Sequence, residues 1–160
     1  MLVIRADLVA EIVAHARRDH PDEACGVLAG PEGSHRPERF VPMLNAARSP
    51  TYYEFEDGEH RRVYREMDTA DEWPVVIYHS HTATPAFPSR TDIAVASGPL
   101  SDPRVHYVLV STREDAEINS TGHELRSFRI VDGEVTEEDV DVVESYMFSH
   151  TGADDVPDHA

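Results

Sequence analysis

Lysine is missing altogether: the fourteen cationic side chains are all arginine, against 31 Asp plus Glu, for a formal net charge of −17. Phosphate-backbone binding needs clustered cations that release counterions, and an anionic membrane surface needs them too, so nucleic acid and membrane are both excluded as expected partners. Long apolar runs are also missing. No stretch approaches the ~20 residues of a membrane span, and the opening MLVIRADLVAEIVAHARRDH meets Arg5, Asp7 and Glu11 before a signal-peptide core could form. Cysteine is down to one, Cys25. With no partner in the chain it points to a reducing compartment, and the expected location is cytoplasmic. There is no internal repeat and no low-complexity linker before the last residues.

One hundred and sixty residues amount to about one domain. A chain of that length buries roughly 68–70% of the surface it exposes when unfolded, so it needs no disulfide or structural metal to stay folded. Hydrophobic residues at 40% and charged residues at 28% are the proportions of a globular fold. Residues 2–4 are a short strand candidate. Leu8, Ile12, Val13 and Ala16 at helical spacing, with Arg17, Arg18 and Asp19 on the wet side, predict a first helix. Asp7 is its expected N-cap and Pro21 its stop. Residues 24–29 read as a buried strand ended by the turn at Gly30-Pro31-Glu32-Gly33. Strands are expected at 40–44 and 52–55. A second helix is expected over 57–72, with Val63, Tyr64 and Met67 buried. The apolar, β-branched run 75–78 predicts a central strand. A short helix over 89–97, strands over 105–111 and 124–131, and a turn at Asp132-Gly133 follow. Strands and helices alternate irregularly, which places the chain in the α+β class, a mixed β-sheet flanked by helices. Residues 1–145 are the expected domain, and 146–160 an acidic, disordered tail.

The chemistry concentrates in one stretch, from His79 to Asp92. Residues i and i+2 of a strand project from the same face, so His79 and His81 aim both imidazoles at one point, where the strand ends and a loop begins. Asp92, on the first turn of the next helix, is the natural third ligand because the Pro-rich loop folds back. Two imidazoles and a carboxylate are a zinc set that leaves the fourth position for water. Each piece also has a plain structural reading. An H-x-H is often two packed or exposed histidines, and Ser89-Arg90-Thr91-Asp92 before an apolar run is a capping-box start. The remaining histidines lack a ligand-like partner at short spacing: His15 and His20 on the polar side of the first helix, His35, His60 and His123 in turn-like or charged segments, His106 flanking a core strand, His150 and His159 in the tail. Cys25 sits in an apolar run, where a free cysteine behaves as a small inert hydrophobe.

H-x-H, seven residues, then S-x-x-D resembles the signature of the JAMM (MPN+) metalloprotease family, and His79, His81, Ser89 and Asp92 fit it position by position. Glu23, in PDEACGVLAG, matches the upstream glutamate of that family; Thr82 departs from the proline found in many members. The likeness covers residues 2–143. It implies a cytidine-deaminase-like α+β arrangement, Zn2+ as cofactor held by His79, His81 and Asp92, Glu23 as general base and Ser89 as hydrogen-bond donor to the developing oxyanion. Within the family, HARRDHPDEACGVLAGPEGS, VVIYHSHTAT, PSRTD and HYVLVST resemble the actinobacterial Mec group. That group implies a partner: a small ubiquitin-like sulfur carrier (CysO-like, ending Gly-Gly) bearing cysteine at its C-terminus, whose terminal amide is hydrolysed in cysteine biosynthesis. The segments 45–54 and 82–88 are the expected groove for the carrier's tail, and Arg48 and Arg90 the candidate cations for the cysteine carboxylate. Two alternatives remain: an isopeptidase acting on lysine side chains, and an inactive scaffold of the same fold.

Overall fold

The computed structural model describes residues 1–98 and 101–148. Strand β1 (Leu2–Arg5) runs directly into helix α1 (Ala6–Asp19). No turn separates them, so the N-cap is Arg5 and no side chain caps the helix. Asp7 is the second helical residue, paired with the Arg5 guanidinium at 3.0 Å, which corrects the capping role expected for it. Next come β2 (Cys25–Pro31), β3 (Arg39–Met43), α2 (Asp57–Thr69), β4 (Glu72–His81), α3 (Arg90–Ala96), β5 (His106–Ser111), β6 (Leu125–Val131), β7 (Glu134–Glu138) and β8 (Val140–Val143), then a 3-10 turn at Tyr146–Phe148.

Six strands form one sheet in the order β3-β2-β4-β5-β6-β7, and β1 pairs with β8 in a separate parallel ribbon. Only β4 and β5 are parallel within the six-stranded sheet, as the α3 crossover between them requires. Both faces are covered. Leu8, Val9, Ile12 and Val13 of α1 pack with Leu28, Val76 and Tyr78, while Val63 and Met67 of α2 pack with Val27, Ala29, Val41 and Met43. Burial on both faces explains why β2 reads as an unbroken apolar run rather than an alternating one.

The structure departs from the sequence expectations at several points. Residues 52–55 are not a strand; a single bridge, Asn45 to Phe55, is all the pairing they make. The turn expected from Gly30 starts later, because β2 continues through Gly30 and Pro31 to pair with Trp73 and Glu72. β7 and β8 carry almost no buried side chains, and nothing in their acidic sequence distinguishes them from a solvated tail. Asp132 and Gly133 turn the β6–β7 hairpin with φ of 50° and 78°, the two positive values a two-residue I′ turn demands. His15 is buried rather than on the polar side of α1. Its Nδ1 lies 2.7 Å from the Tyr78 hydroxyl, which comes up beneath the helix and needs a partner there. His106 likewise has close partners, Glu138 at 2.6 Å and His35 at 2.9 Å, contributed by segments 32 and 71 residues away. Of the expected tail, Tyr146 is partly buried, its hydroxyl donating to the Pro37 carbonyl and its ring facing the Arg5 and Arg36 guanidiniums. Residues 149–160 lie outside the described part.

Candidate metal centre

β4 delivers His79 and His81 from its C-terminal end, beside the parallel end of β5: His79 pairs with Leu109 and His81 with Ser111. On its other side β4 runs antiparallel to β2, with His79 opposite Cys25. The segment leading into β2 therefore arrives at the same place. Ala24 N–H donates to Ser80 Oγ at 2.8 Å and Ser80 N–H to the Ala24 carbonyl at 3.0 Å, so Glu23 stands one residue from a fixed crossing. The third element is the start of α3. Ser89 Oγ accepts from Asp92 N–H at 3.1 Å and Asp92 Oδ2 accepts from Ser89 N–H at 2.8 Å, a reciprocal capping box. The N3 partner of the capping box and the candidate ligand are thus the same residue, Asp92, and the first helical turn sets the direction of its carboxylate.

The donors of His79, His81 and Asp92 all lie within 4.8 Å of one another. Asp92 Oδ2 is 3.1 Å from Nε2 of each histidine. His81 Nδ1 donates to the Pro85 carbonyl at 2.8 Å and Nε2 donates to Asp92 Oδ2 at 3.1 Å, so Nε2 is the nitrogen on the side of Asp92 that a bound ion would take over. His79 Nε2 stands 3.1 Å from Asp92 Oδ2 without the alignment of a hydrogen bond, and both ring nitrogens are buried without a hydrogen-bond partner. Glu23 Oε1 is buried without one as well. Orphaned polar atoms of this kind are uncommon inside proteins. His79 Nε2, in a set of two imidazoles and a carboxylate, fits a divalent ion with an open position.

The electrostatics agree with that chemistry. Burial lowers the pKa of His79, so its imidazole is neutral and available as a ligand. Burial opposes the Asp92 charge, yet the close imidazoles of His79 and His81 and the Ser89 N–H outweigh it and hold the carboxyl far below its usual range. For His81, burial is likewise outweighed, by Asp92 and the Pro85 carbonyl, and its pKa rises. Burial pushes Glu23 up to about 7, with His81 lowering it and Asp92 raising it. A carboxyl poised near neutrality is suited to taking and returning a proton. Burial pushes the Cys25 thiol up to about 12, so it is not a nucleophile at neutral pH.

Several supporting residues had no signal in the sequence. Tyr53 stacks on His79 with ring centroids 4.4 Å apart. Asn45 is buried and fully used: Nδ2 donates to the carbonyls of Glu23 and Tyr52, and Oδ1 accepts from the N–H groups of Ala47 and Glu54. It ties the 45–55 loop to Glu23. Apart from Ala47, their partners come from 7 to 26 residues away, beyond any short motif. Beside Tyr53 opens a cleft of about 550 Å³ whose walls include Phe55, Tyr64, Ile77, Val95 and Tyr107. Of the two expected groove segments, 45–54 reaches this cleft through Tyr52, Tyr53 and Glu54, whereas 82–88 does not line it. Arg48 and Arg90 are both exposed, and neither forms an ion pair among the described residues.

Sequence comparison agrees with the geometry. The profile described as prokaryotic homologs of the JAB domain matches residues 5–131. A CysO-cysteine peptidase of Mycobacterium tuberculosis is 66% identical over 146 residues, covering 91% of this chain and 94% of that protein. A desampylase of Haloferax volcanii is 31% identical over 137 residues, covering 81% and 94%. Among solved structures, a solution structure of a protein from Desulfitobacterium hafniense superposes with a TM-score of 0.72 at 28% identity, over 91% of this chain and 94% of the other. On its matched length, its fold and the donor set at the end of β4, the chain belongs to the prokaryotic JAB family, the JAMM/MPN class of domains.

Proposed function

We propose that this protein is a zinc peptidase that hydrolyses the amide between the C-terminal glycine of a small ubiquitin-like sulfur carrier and an added cysteine, releasing free cysteine. The observation that carries the reading is the meeting of a His79–His81–Asp92 donor set with the buried Glu23 carboxyl, in a chain 66% identical to a CysO-cysteine peptidase. His79, His81 and Asp92 would hold the ion through Nε2, Nε2 and Oδ2, and zinc there would supply Lewis acidity toward a carbonyl and lower the pKa of a water toward ~7.

The chain's own residues carry the rest. Glu23 takes the proton of the attacking water and passes it to the leaving amine, a double use that its poise near 7 permits. Ser89 accepts from Asp92 N–H, so its own O–H stays free to donate to the oxyanion. Tyr53 stacked on His79 closes one side of the centre, and the adjacent apolar cleft takes the extended tail of the carrier. No covalent intermediate forms. The balance is one amide bond broken and one water consumed, giving a carrier carboxylate and an amine.

The desampylase similarity favours one other reading, removal of a ubiquitin-like protein from a lysine side chain. Two substrates separate them: a carrier ending Gly-Gly-Cys, and the same carrier joined through its C-terminus to a lysine side chain. Intact-mass measurement of the products is expected to show loss of one cysteine from the first, with little turnover of the second. Preference for the lysine conjugate would overturn the cysteine reading, and absence of zinc in elemental analysis of active protein would overturn the metal assignment.

A further inference from the structure

Glu124 is the most deeply buried carboxylate among the described residues, 1% exposed, and the hydrolysis chemistry has no use for it. It stands just before β6 and gathers donors from three segments. Oε2 accepts from Ala86 N–H at 2.8 Å, while Oε1 accepts from Arg113 Nε at 2.8 Å and from Glu117 N–H at 2.9 Å. We propose that Glu124 is a positioning residue for the metal centre, holding the 82–88 loop so that the Pro85 carbonyl fixes the orientation and tautomer of His81.

The chain of contacts is short. Ala86, which is fully buried, directly follows Pro85, whose carbonyl accepts from His81 Nδ1 at 2.8 Å. On the other side of Pro85, the Thr84 carbonyl accepts from Ser111 Oγ at 2.7 Å. Ser111 pairs with His81 across β4 and β5, and its N–H donates to the Glu124 carbonyl at 2.9 Å. Pro85 has no N–H of its own to anchor it; its carbonyl accepts from Phe87 N–H at 2.8 Å, and the residues on either side of it are held by Glu124 and Ser111. Histidine gives Nε2 to an ion cleanly only when Nδ1–H is committed to an acceptor, and such acceptors tune ligand basicity and ring orientation. A carboxylate is what the position requires. Three donors converge on it, and an amide in its place would turn its own NH₂ toward one of them. Arg113, 2.8 Å away, supplies the charge that makes burial tolerable.

This rests on reading His79, His81 and Asp92 as the ligands, and the test separates the two. Zinc affinity is measured by competition with a chromophoric chelator for the wild type, Glu124→Gln, Ser111→Ala and Glu138→Gln. Glu138 is another buried carboxylate, hydrogen-bonded to His106 and Ser127 at the opposite end of the β4–β5 pair, so its variant reports general loosening. Glu124→Gln is expected to raise the zinc Kd about 10–100-fold, while Glu138→Gln keeps the wild-type value. An unchanged Kd in folded Glu124→Gln, or an equal rise in Glu138→Gln, overturns the positioning role and leaves the ligand assignment intact. A wild type that binds no zinc removes the ligand assignment itself. Should Glu124→Gln fail to fold, Ser111→Ala decides: a raised Kd supports the clamp and an unchanged one overturns it.

Discussion

Glu23 is held where its charge is disfavoured, and this has a consequence for stability as well as for catalysis. Its carboxyl rises from 4.5 to about 7 on folding, chiefly through burial. A folded-state pKa above the unfolded one means the contribution to stability is whole below about pH 4.5 and is lost as pH rises through about 7. For metal-free protein, melts in chelator should show wild type falling behind Glu23→Gln as pH goes from 5 to 8, by a gap on the order of 3 kcal/mol. The same substitution should lower turnover ~10²–10⁴-fold with zinc retained; surviving activity would remove Glu23 as the base. Ser89 caps α3, and the oxyanion role proposed for it can be separated from that duty by substitution. Ser89→Ala should cost about 1 kcal/mol of capping and Ser89→Gly only a few tenths, yet both should lose ~10²–10³ in turnover. Activity that tracked the melting temperature instead would reduce Ser89 to a cap. His79, His81, Ser89 and Asp92 were legible as a motif because their geometry is local: one strand face, one loop and one helical turn. Glu23 was legible only through family resemblance, since nothing within its own segment says what it faces.

At the level of elements, the centre depends on how closely β2 approaches β4. Gly26 lies opposite Tyr78 in that pairing, one step from the Cys25–His79 pair. A Cβ at Gly26 would sit 2.5–2.6 Å from ring atoms Cζ and Cε2 of Tyr78, whose ring is stacked on Phe40 and hydrogen-bonded to His15. The ring cannot yield without breaking those contacts. Gly26→Ala is therefore expected to destabilise the fold by about 1–3 kcal/mol, read as a lower midpoint in urea, and wild-type stability would show that the two strands have slack. The apolar elements announced themselves, but β7 and β8 did not. Their pairing is backbone hydrogen bonding to β6 and β1 with few buried side chains, so no hydrophobic period was written into them. The opposite error occurred at 52–55, where aromatic residues suggested a strand. Tyr53 and Phe55 instead pack on His79 and His60 while Asn45 holds the backbone.

The whole molecule carries −17, and acid should relieve the repulsion among its surface carboxylates. Glu138 works in the other direction. Burial opposes its charge, but hydrogen bonds from His106 and Ser127 and the nearby cationic groups hold its carboxyl down to about 2. A depressed carboxylate pKa contributes stability that is whole above about 4.5 and lost as pH falls through about 2. The stability difference between wild type and Glu138→Gln should therefore be largest near neutrality and shrink across that acid window in denaturant titrations. A constant difference would mean that the site matters for packing and not for charge. This network joins β5, β6, β7 and the chain's amino group, far from the metal centre at the other end of β4 and β5.

The sequence by itself determined which strand and which helical turn carry the chemistry, because side-chain direction along a strand and capping at a helix start are set by neighbours two or three residues apart. It also indicated the α+β class, since strand-like apolar runs and helical periodicities alternate irregularly along the chain. Only the tertiary structure decided what surrounds the ligands. Antiparallel pairing brings Glu23 to His81, a crossover brings Asp92 to the same histidine, and residues dozens of positions away, Asn45, Ser111 and Glu124, lock the loops between them. A buried polar side chain looks the same in a sequence as an exposed one; its role is fixed by the distant donors and acceptors that burial obliges it to find.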